Sequence, residues 1–504
     1  MAVAERRPTT WMAALAGRRD VFGLFGVTIL AGAVILYSLG DKDLANDEAT
    51  SYFIAQLDWP SLWESLTTSE ANASLFYLSL KGWLGLGSSE FVLRLLPTLF
   101  AVVSVLALYL LARRLFGSGR ALAASVLMSV NVLFVTHAQE VRGYSLSVML
   151  ATMSTLFFVK SVMDKTTWSF LAYALVGGLS LYAHFFAAFV LAAHVLSLPF
   201  LRRDQIPIRE LVRSYVAIAL LGIPLAYFIL FRNVGQVDWI PDPSLGQLHA
   251  ALLQLTGDGG NGLLIAYGVL TTATLIGALA GLATRRGDIG LWGCGLCFLW
   301  FSIPVVGGFG LSYVQPVFQA RYLLVAVPGV VLCAVLGLSV LRPLPVAIAA
   351  FGLIAAFTAI QLEDWYSAGS TDNWRAKAEV VIENASVRDG IVFYSPTILR
   401  PFGYYSGYYV EENRRSAPLP EVVYPSEQWL GYSKKRFSPD YERIVADSAR
   451  HARLWLVTGY TSDTPRRVEK AELEASLRQA CGAPTETYER GTVKLYSSCR
   501  DLSR

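Results

Sequence analysis

Two acidic positions have the chemistry and the setting of a catalytic pair. Asp47-Glu48 follows the first long apolar segment of the chain, and Glu140 follows a later one in the same way. Carboxylates from two loops at one membrane depth can act as a general base or hold a divalent cation. The plainer alternative is a set of solvated loop charges, with Asn46-Asp47 capping a helix. Arg142 lies two residues beyond Glu140, and Arg321 opens another apolar segment. Arginine at an outer membrane boundary runs against the usual charge bias, and a phosphate at headgroup depth accounts for it through the bidentate guanidinium fork. Ordinary lipid headgroups, or Glu140 itself, are the competing partners. Lys81 is either a third phosphate contact or a snorkelling lysine. His184, between two apolar segments, either orients a ligand or binds metal, or is a hydrogen-bonded boundary histidine. If a metal is bound, Asp47, Glu140 and His184 are its candidate ligands.

Long helices must carry these residues. Of 504 residues, 54% are hydrophobic and 16% charged, against about a quarter charged in soluble proteins. A bilayer core needs about 20 helical residues to cross it. The candidate spans are 21–40, 91–112, 121–136, 144–163, 168–183, 185–201, 211–231, 262–284, 289–309, 321–341 and 344–361. The first reads as a retained span, because its apolar run is long and no small-residue cleavage site follows. Residues 75–87 are apolar but short and contain Lys81, so they either span or lie in the interface. Charge decides between these. With 75–87 on the surface, Arg18, Arg19, Arg113, Arg114, Arg120, Lys160, Lys165, Arg202, Arg203, Arg209, Arg213, Arg285, Arg286 and Arg342, with Arg6 and Arg7, share the cytoplasmic side. The opposite loops keep only a few cations, such as Lys42, Arg142 and Arg232.

This topology predicts a cytoplasmic N-terminus (1–20), a membrane domain (21–361) with an acidic first external loop (41–90), and an external α/β domain (362–504). In the first loop, Asn46-Asp47 would cap a helix over 48–57 and Pro60 would start another over 61–68. The loop 232–261 is rich in Pro and Gly. In the external domain, 373–386 and 467–480 have helical periodicity, whereas 391–395 and 453–457 read as buried strands. Phe402–Tyr409 is strongly aromatic, facing either lipid, carbohydrate or the core. Cys294 and Cys297 have metal or redox spacing but sit in an apolar span, where packing is the simpler role. Cys481 and Cys499 are external and form a disulfide candidate, flanking a hairpin of 485–489 with 493–497 around Gly491.

The run Asp47-Glu48-Ala49-Thr50-Ser51-Tyr52-Phe53-Ile54-Ala55 resembles the first-loop motif of the GT-C glycosyltransferases. The wider pattern is similar to their family 39 and family 83 group, which includes protein O-mannosyltransferases, lipid A aminoarabinose transferases and rhizobial lipopolysaccharide galacturonosyltransferases. Matching stretches follow in order at Leu75–Lys81, Arg94–Pro97, Leu111–Gly117, Ala138–Ser145, Tyr182–Phe186, Arg321–Leu324 and Asp372–Arg375. Where many relatives have a His-Pro-Pro or Lys-Pro-Pro turn, this chain has Ala71-Asn72-Ala73-Ser74.

The resemblance implies a polytopic GT-C-like fold of about 11–13 membrane helices with external juxtamembrane helices. It implies an inverting transferase that moves a monosaccharide from a polyprenyl-phosphate donor to an envelope glycolipid, glycan or protein, in a bacterial inner membrane with its site facing the periplasm. On this pattern Asp47 is the base, assisted by Glu48 and Glu140. Lys81, Arg142 and Arg321 hold the donor phosphate, and Tyr144, His184 and Tyr322 line the substrate site. No cofactor is required, a divalent cation stays an alternative, and no nucleic acid is involved. A transporter or lipid-linked sugar flippase fits less well, because the ionisable residues gather at one face instead of the midplane and no inverted repeat is evident. A glycan ligase or polymerase would keep the enzyme class and change the reaction. A membrane-anchored sensor would need fewer spans than this chain has.

Overall fold

A computed structural model describes residues 18–231, 240–284, 288–370, 372–394, 396–407, 419–425, 441–448, 450–459, 464–497 and 499. Most of the N-terminus expected in the cytoplasm, Arg232, Arg285, Arg286 and Tyr408-Tyr409 lie outside these residues. Contacts divide the chain into two compact units, one of residues up to Leu39 with Leu66–Ala368, the other of Gly40–Ser65 with the chain from Gly369 onward.

In lipid an apolar backbone can satisfy its hydrogen bonds internally only as helix or closed barrel. All eleven apolar segments fall on helices. Seven are long and apolar enough to span: α5 (Glu90–Phe116), α8 (Tyr144–Asp164), α11 (Ile208–Phe231), α13 (Gly260–Thr284), α14 (Ile289–Leu311), α16 (Leu344–Ser367), and the run Ala320–Leu338, whose last part is α15 (Val327–Leu338). An eighth is the pair α6 (Ser118–Val130) and α7 (Val132–Ala138), bent by 63°. The other three segments are shorter apolar helices, α1 (Arg18–Leu36), α9 (Thr167–Ala183) and α10 (Ala187–Ser197). The chain is a multi-pass membrane protein. Residues 75–87 form α4 (Ser74–Trp83) and a 3-10 turn that follows it (Leu84–Leu86), together too short to cross.

Burial separates inner from lipid-facing helices. The Ala320–Leu338 window is 89% buried, whereas that of α16 is 11% buried and exposes Ile348, Leu353 and Phe357. Exposed side chains of this kind need lipid as solvent. Gly337 lets α15 meet α13 backbone to backbone, since a Cβ there would overlap the Leu270 carbonyl oxygen. At one end of the bundle Arg113 pairs with Asp20 at 2.8 Å, and Arg114 with Asp164. The start of α1 and the ends of α5 and α8 therefore share one membrane side.

In the second unit, the first loop carries α2 (Asn46–Gln56), then α3 (Trp59–Thr68), through which the division between units passes. The expected cap is corrected. Ala45 occupies the N-cap of α2, and the Glu48 carboxylate accepts from its backbone N–H at 2.9 Å. The α/β module contains α17 (Trp374–Asn384), β1 (Gly390–Tyr394), α18 (Leu399–Ser406), β2 (Glu421–Tyr424), α19 (Tyr441–Ser448), β3 (Leu454–Thr458), α20 (Thr464–Cys481), β4 (Glu486–Tyr488) and β5 (Val493–Tyr496). The sheet order is β2-β1-β3-β5-β4, with β1 parallel to β2 and β3, and β5 antiparallel to β3 and β4. Strand alternation serves two cores. Ile391 and Phe393 face α17 and α18, while Val392 joins Leu454, Leu456 and the α19–α20 side. Cys481 and Cys499 are disulfide-bonded, and Gly491 at φ +87° turns the β4–β5 hairpin. Cys294, Cys297 and Cys333 are free and packed within the bundle.

Candidate active site

The site in the first unit is built on the loop between α7 and α8. Asn131 produces the bend that leads to it. Its Oδ1 accepts from Phe134 N at 3.0 Å to cap α7, and its Nδ2 donates to Leu255 O at 3.1 Å. The loop is then fastened along its length. Thr98 Oγ1 donates to Ala138 O (3.2 Å), and Ser145 Oγ to His137 O (3.2 Å). Gln139 Nε2 donates to Ile35 O and Tyr37 O (2.8 and 2.9 Å), while its Oε1 accepts from Trp365 Nε1 (3.0 Å). Those carbonyls belong to the end of α1 and would otherwise be orphaned. Gly143 leaves little room for a side chain, since a Cβ would lie 3.1 Å from Phe76 Cβ and the two would have to shift apart.

Glu140 and Arg142 emerge from this fixed loop. Glu140 is partly buried, with its Oε2 3.8 Å from His137 Nε2. Arg142 Nη1 donates to Tyr77 Oη at 3.3 Å, and Tyr77 Oη donates to Glu70 Oε2 at 2.8 Å. Tyr77 and Glu70 are both buried. Lys81 lies one turn beyond Tyr77 on α4, so the two share a helix face.

Tyr144, His184 and Tyr322 meet as a group. The His184 ring centroid is 4.8 Å from that of Tyr322 and 6.3 Å from that of Tyr144, and the two tyrosines are 6.4 Å apart. The Arg142 guanidinium lies 6.0 Å from the Tyr144 ring, and that of Arg321 lies 5.8 Å from the Tyr322 ring. His184 Nδ1 accepts from Phe186 N at 3.3 Å, which leaves the proton of the neutral ring on Nε2. That Nε2 is buried and has no hydrogen-bond partner among the described residues. Burial pushes the His184 pKa down to about 3, reinforced by the Arg142 and Arg321 guanidiniums. Two cations and a neutral N–H donor around one aromatic group favour an anion with several acceptor oxygens, such as a phosphate.

Asp47 and Glu48 belong to the second unit. Asp47 is exposed, whereas Glu48 is buried and braces its own helix. Among the described residues no three of His, Cys, Asp and Glu converge as ligands of one metal ion.

Several participants were not singled out as site residues from the sequence. Glu70 and Tyr77 anchor Arg142, and Gln139 fixes the loop. Asn72, in the turn where the Pro-Pro pattern is absent, accepts from Phe185 N at 2.8 Å beside His184. Tyr77 and Gln139 lie in the stretches Leu75–Lys81 and Ala138–Ser145 that carry the family resemblance, and that was their advance signal.

Comparison with known proteins bears on the fold. The family model for dolichyl-phosphate-mannose-protein mannosyltransferase matches residues 75–231. No curated protein sequence matches. The chain is similar to ArnT from Cupriavidus metallidurans in the apo state, with a TM-score of 0.63 and 12% identity over 96% of this chain and 99% of that one. Against the same protein bound to undecaprenyl phosphate the TM-score is 0.59, with 12% identity over 95% and 98%. The oligosaccharyltransferase AglB from Archaeoglobus fulgidus, in complex with an inhibitory peptide and a dolichol-phosphate, gives a TM-score of 0.51 with 11% identity over 96% and 75%. The chain therefore has the GT-C glycosyltransferase fold, and its residues 75–231 match the dolichyl-phosphate-mannose-protein mannosyltransferase family.

Proposed function

We propose that the protein is an inverting glycosyltransferase of a bacterial inner membrane, which moves one sugar from a polyprenyl-phosphate donor to an envelope glycolipid, glycan or protein at the periplasmic face. The observation that carries this is the grouping of Arg142, Arg321 and the unpartnered His184 Nε2 in a fold shared with a protein that binds undecaprenyl phosphate.

The chemistry follows from the leaving group. When the bond between anomeric carbon and phosphate oxygen breaks, the electron pair goes to that oxygen, and polyprenyl phosphate departs as a monoester with a second pKa near 6. It needs little protonation, so charge stabilisation by Arg142, Arg321 and Lys81 is the larger contribution. His184 donates from Nε2 without adding charge. An acceptor hydroxyl attacks from the opposite face and gives its proton to Asp47, with Glu140 positioning the acceptor. A single displacement inverts the anomeric centre, and no sugar–enzyme bond forms. Glu48, held by the Ala45 amide, maintains the helix that carries the base.

Mass spectrometry of envelope glycolipids and glycoproteins from a deletion strain beside its parent tests the proposal. Loss of one sugar mass, restored by the wild-type chain and not by Asp47→Asn, is the expected result. Identical envelopes in both strains would overturn it.

A further inference from the structure

We infer that the external α/β module is a positioning element for the helix bearing Asp47. The inference rests on the reading of Asp47 as the base, and every contact that carries it lies within the second unit.

Helix α2 has eleven residues, a length at which an isolated helix is marginal. Four attachments to α17, α18 and the segment before them bracket Asp47. Asp43 N donates to Ser370 Oγ at 2.7 Å, and Asp43 Oδ2 accepts from Arg375 N at 3.0 Å. This carboxylate caps α17, whose own N-cap residue Asn373 is in the left-handed region at φ +45° and makes no side-chain cap. Leu44 N donates to Tyr405 Oη at 2.8 Å, and Arg400 Nη1 donates to Thr50 Oγ1 at 3.0 Å. Tyr52 meets Tyr404 edge-on, with ring centroids 5.1 Å apart. Phe402, on the same short helix α18, is buried against Phe393 of β1, so the attachment points are rooted in the sheet. The aromatic run beginning at Phe402 thus has a role in place of a lipid or sugar patch. Asp47 is exposed on the helical turn that these anchors hold.

The donor-phosphate residues belong to the first unit, so loosening these anchors should reduce transfer while sparing donor affinity. The test uses full-length protein and four readouts. These are amide hydrogen exchange over 44–52, binding of undecaprenyl phosphate, melting temperature, and the initial rate of envelope modification in cells whose only copy is the variant. Tyr405→Phe and Thr50→Val should each speed exchange over 44–52 about fivefold and slow transfer by about ten- to a hundredfold. Undecaprenyl phosphate should bind them as it binds wild type. Thr50→Ser, which keeps the hydroxyl, should restore transfer. Tyr394→Phe removes a hydroxyl bonded to Glu469 elsewhere in the module and should change neither exchange over 44–52 nor transfer. If Tyr405→Phe does not fold, the Thr50 pair decides. Wild-type transfer in Thr50→Val beside an inactive Asp47→Asn overturns this inference alone, as does an equal loss of transfer and undecaprenyl phosphate binding. Wild-type transfer in Asp47→Asn overturns the reading of the base on which it rests.

Discussion

Replacing Arg321 by alanine should weaken donor binding far more than it alters the fold. Arg321 is partly buried and contributes one of the two guanidiniums acting on His184. A charge-assisted hydrogen bond is worth about 1.5–3 kcal/mol, which corresponds to roughly a 10- to 150-fold rise in Kd. Arg321→Lys should lose less, because it keeps the charge and gives up only the fork. Titrating undecaprenyl phosphate into detergent-solubilised protein measures this directly, with Asp47→Asn as the comparison that should bind normally. The same titration run against pH examines His184. Its folded pKa of about 3 lies below the ordinary 6.5, so the ring is neutral between pH 5 and 8. Affinity should therefore increase from pH 5 to 7 as the ligand takes its second negative charge. The depressed value also means that unfolded chains bind a proton that folded ones exclude. His184's contribution to stability is complete above pH 6.5 and is lost progressively as pH falls toward 3. Wild-type affinity in Arg321→Ala would refute the phosphate assignment. Affinity that declines as pH rises through 6.5, with that dependence lost in His184→Gln, would show that the histidine binds as a cation.

Asp47→Asn should abolish sugar transfer in a donor-to-acceptor assay while donor binding persists, since Asn keeps the shape but cannot take the proton. Glu140→Gln should cost less if it positions the acceptor. A cysteine introduced beside Glu140 should react with an impermeant maleimide in cells with a permeabilised outer membrane and an intact inner one; reaction only after lysis would place the loop in the cytoplasm. Cys481 and Cys499 should resist alkylation until reductant is added. Their loop spans 18 residues, and reduction should destabilise the α/β module by about 3 kcal/mol, read as an earlier denaturant transition.

Much of this architecture could be read from local pattern. A run of apolar residues long enough to cross a bilayer has few options other than helix, so the segments from α1 to α16 were legible. Charge bias alone kept 75–87 out of the membrane, and α4 is indeed too short to cross. The buried strands β1 and β3 were marked by uninterrupted apolar runs, and Gly491 by its place between two alternating segments. Asp47, Glu140, Arg142 and Arg321 stood out because charge near an apolar boundary needs a partner.

What the tertiary structure decided is which partner each residue has. Glu48 and Asp47 are adjacent and chemically alike, yet a helical turn buries one carboxylate against the Ala45 amide and exposes the other. Glu70 looked like one loop acid among many until Tyr77 connected it to Arg142. The aromatic run from Phe402 could not be divided into core and anchors from its sequence, because its helical turns send Phe402 to the sheet and Tyr405 to Leu44 N, 361 residues away along the chain. Periodicity reports a residue's neighbours within one element. Hydrogen bonds between distant segments depend on how the elements pack, and no local spacing encodes that.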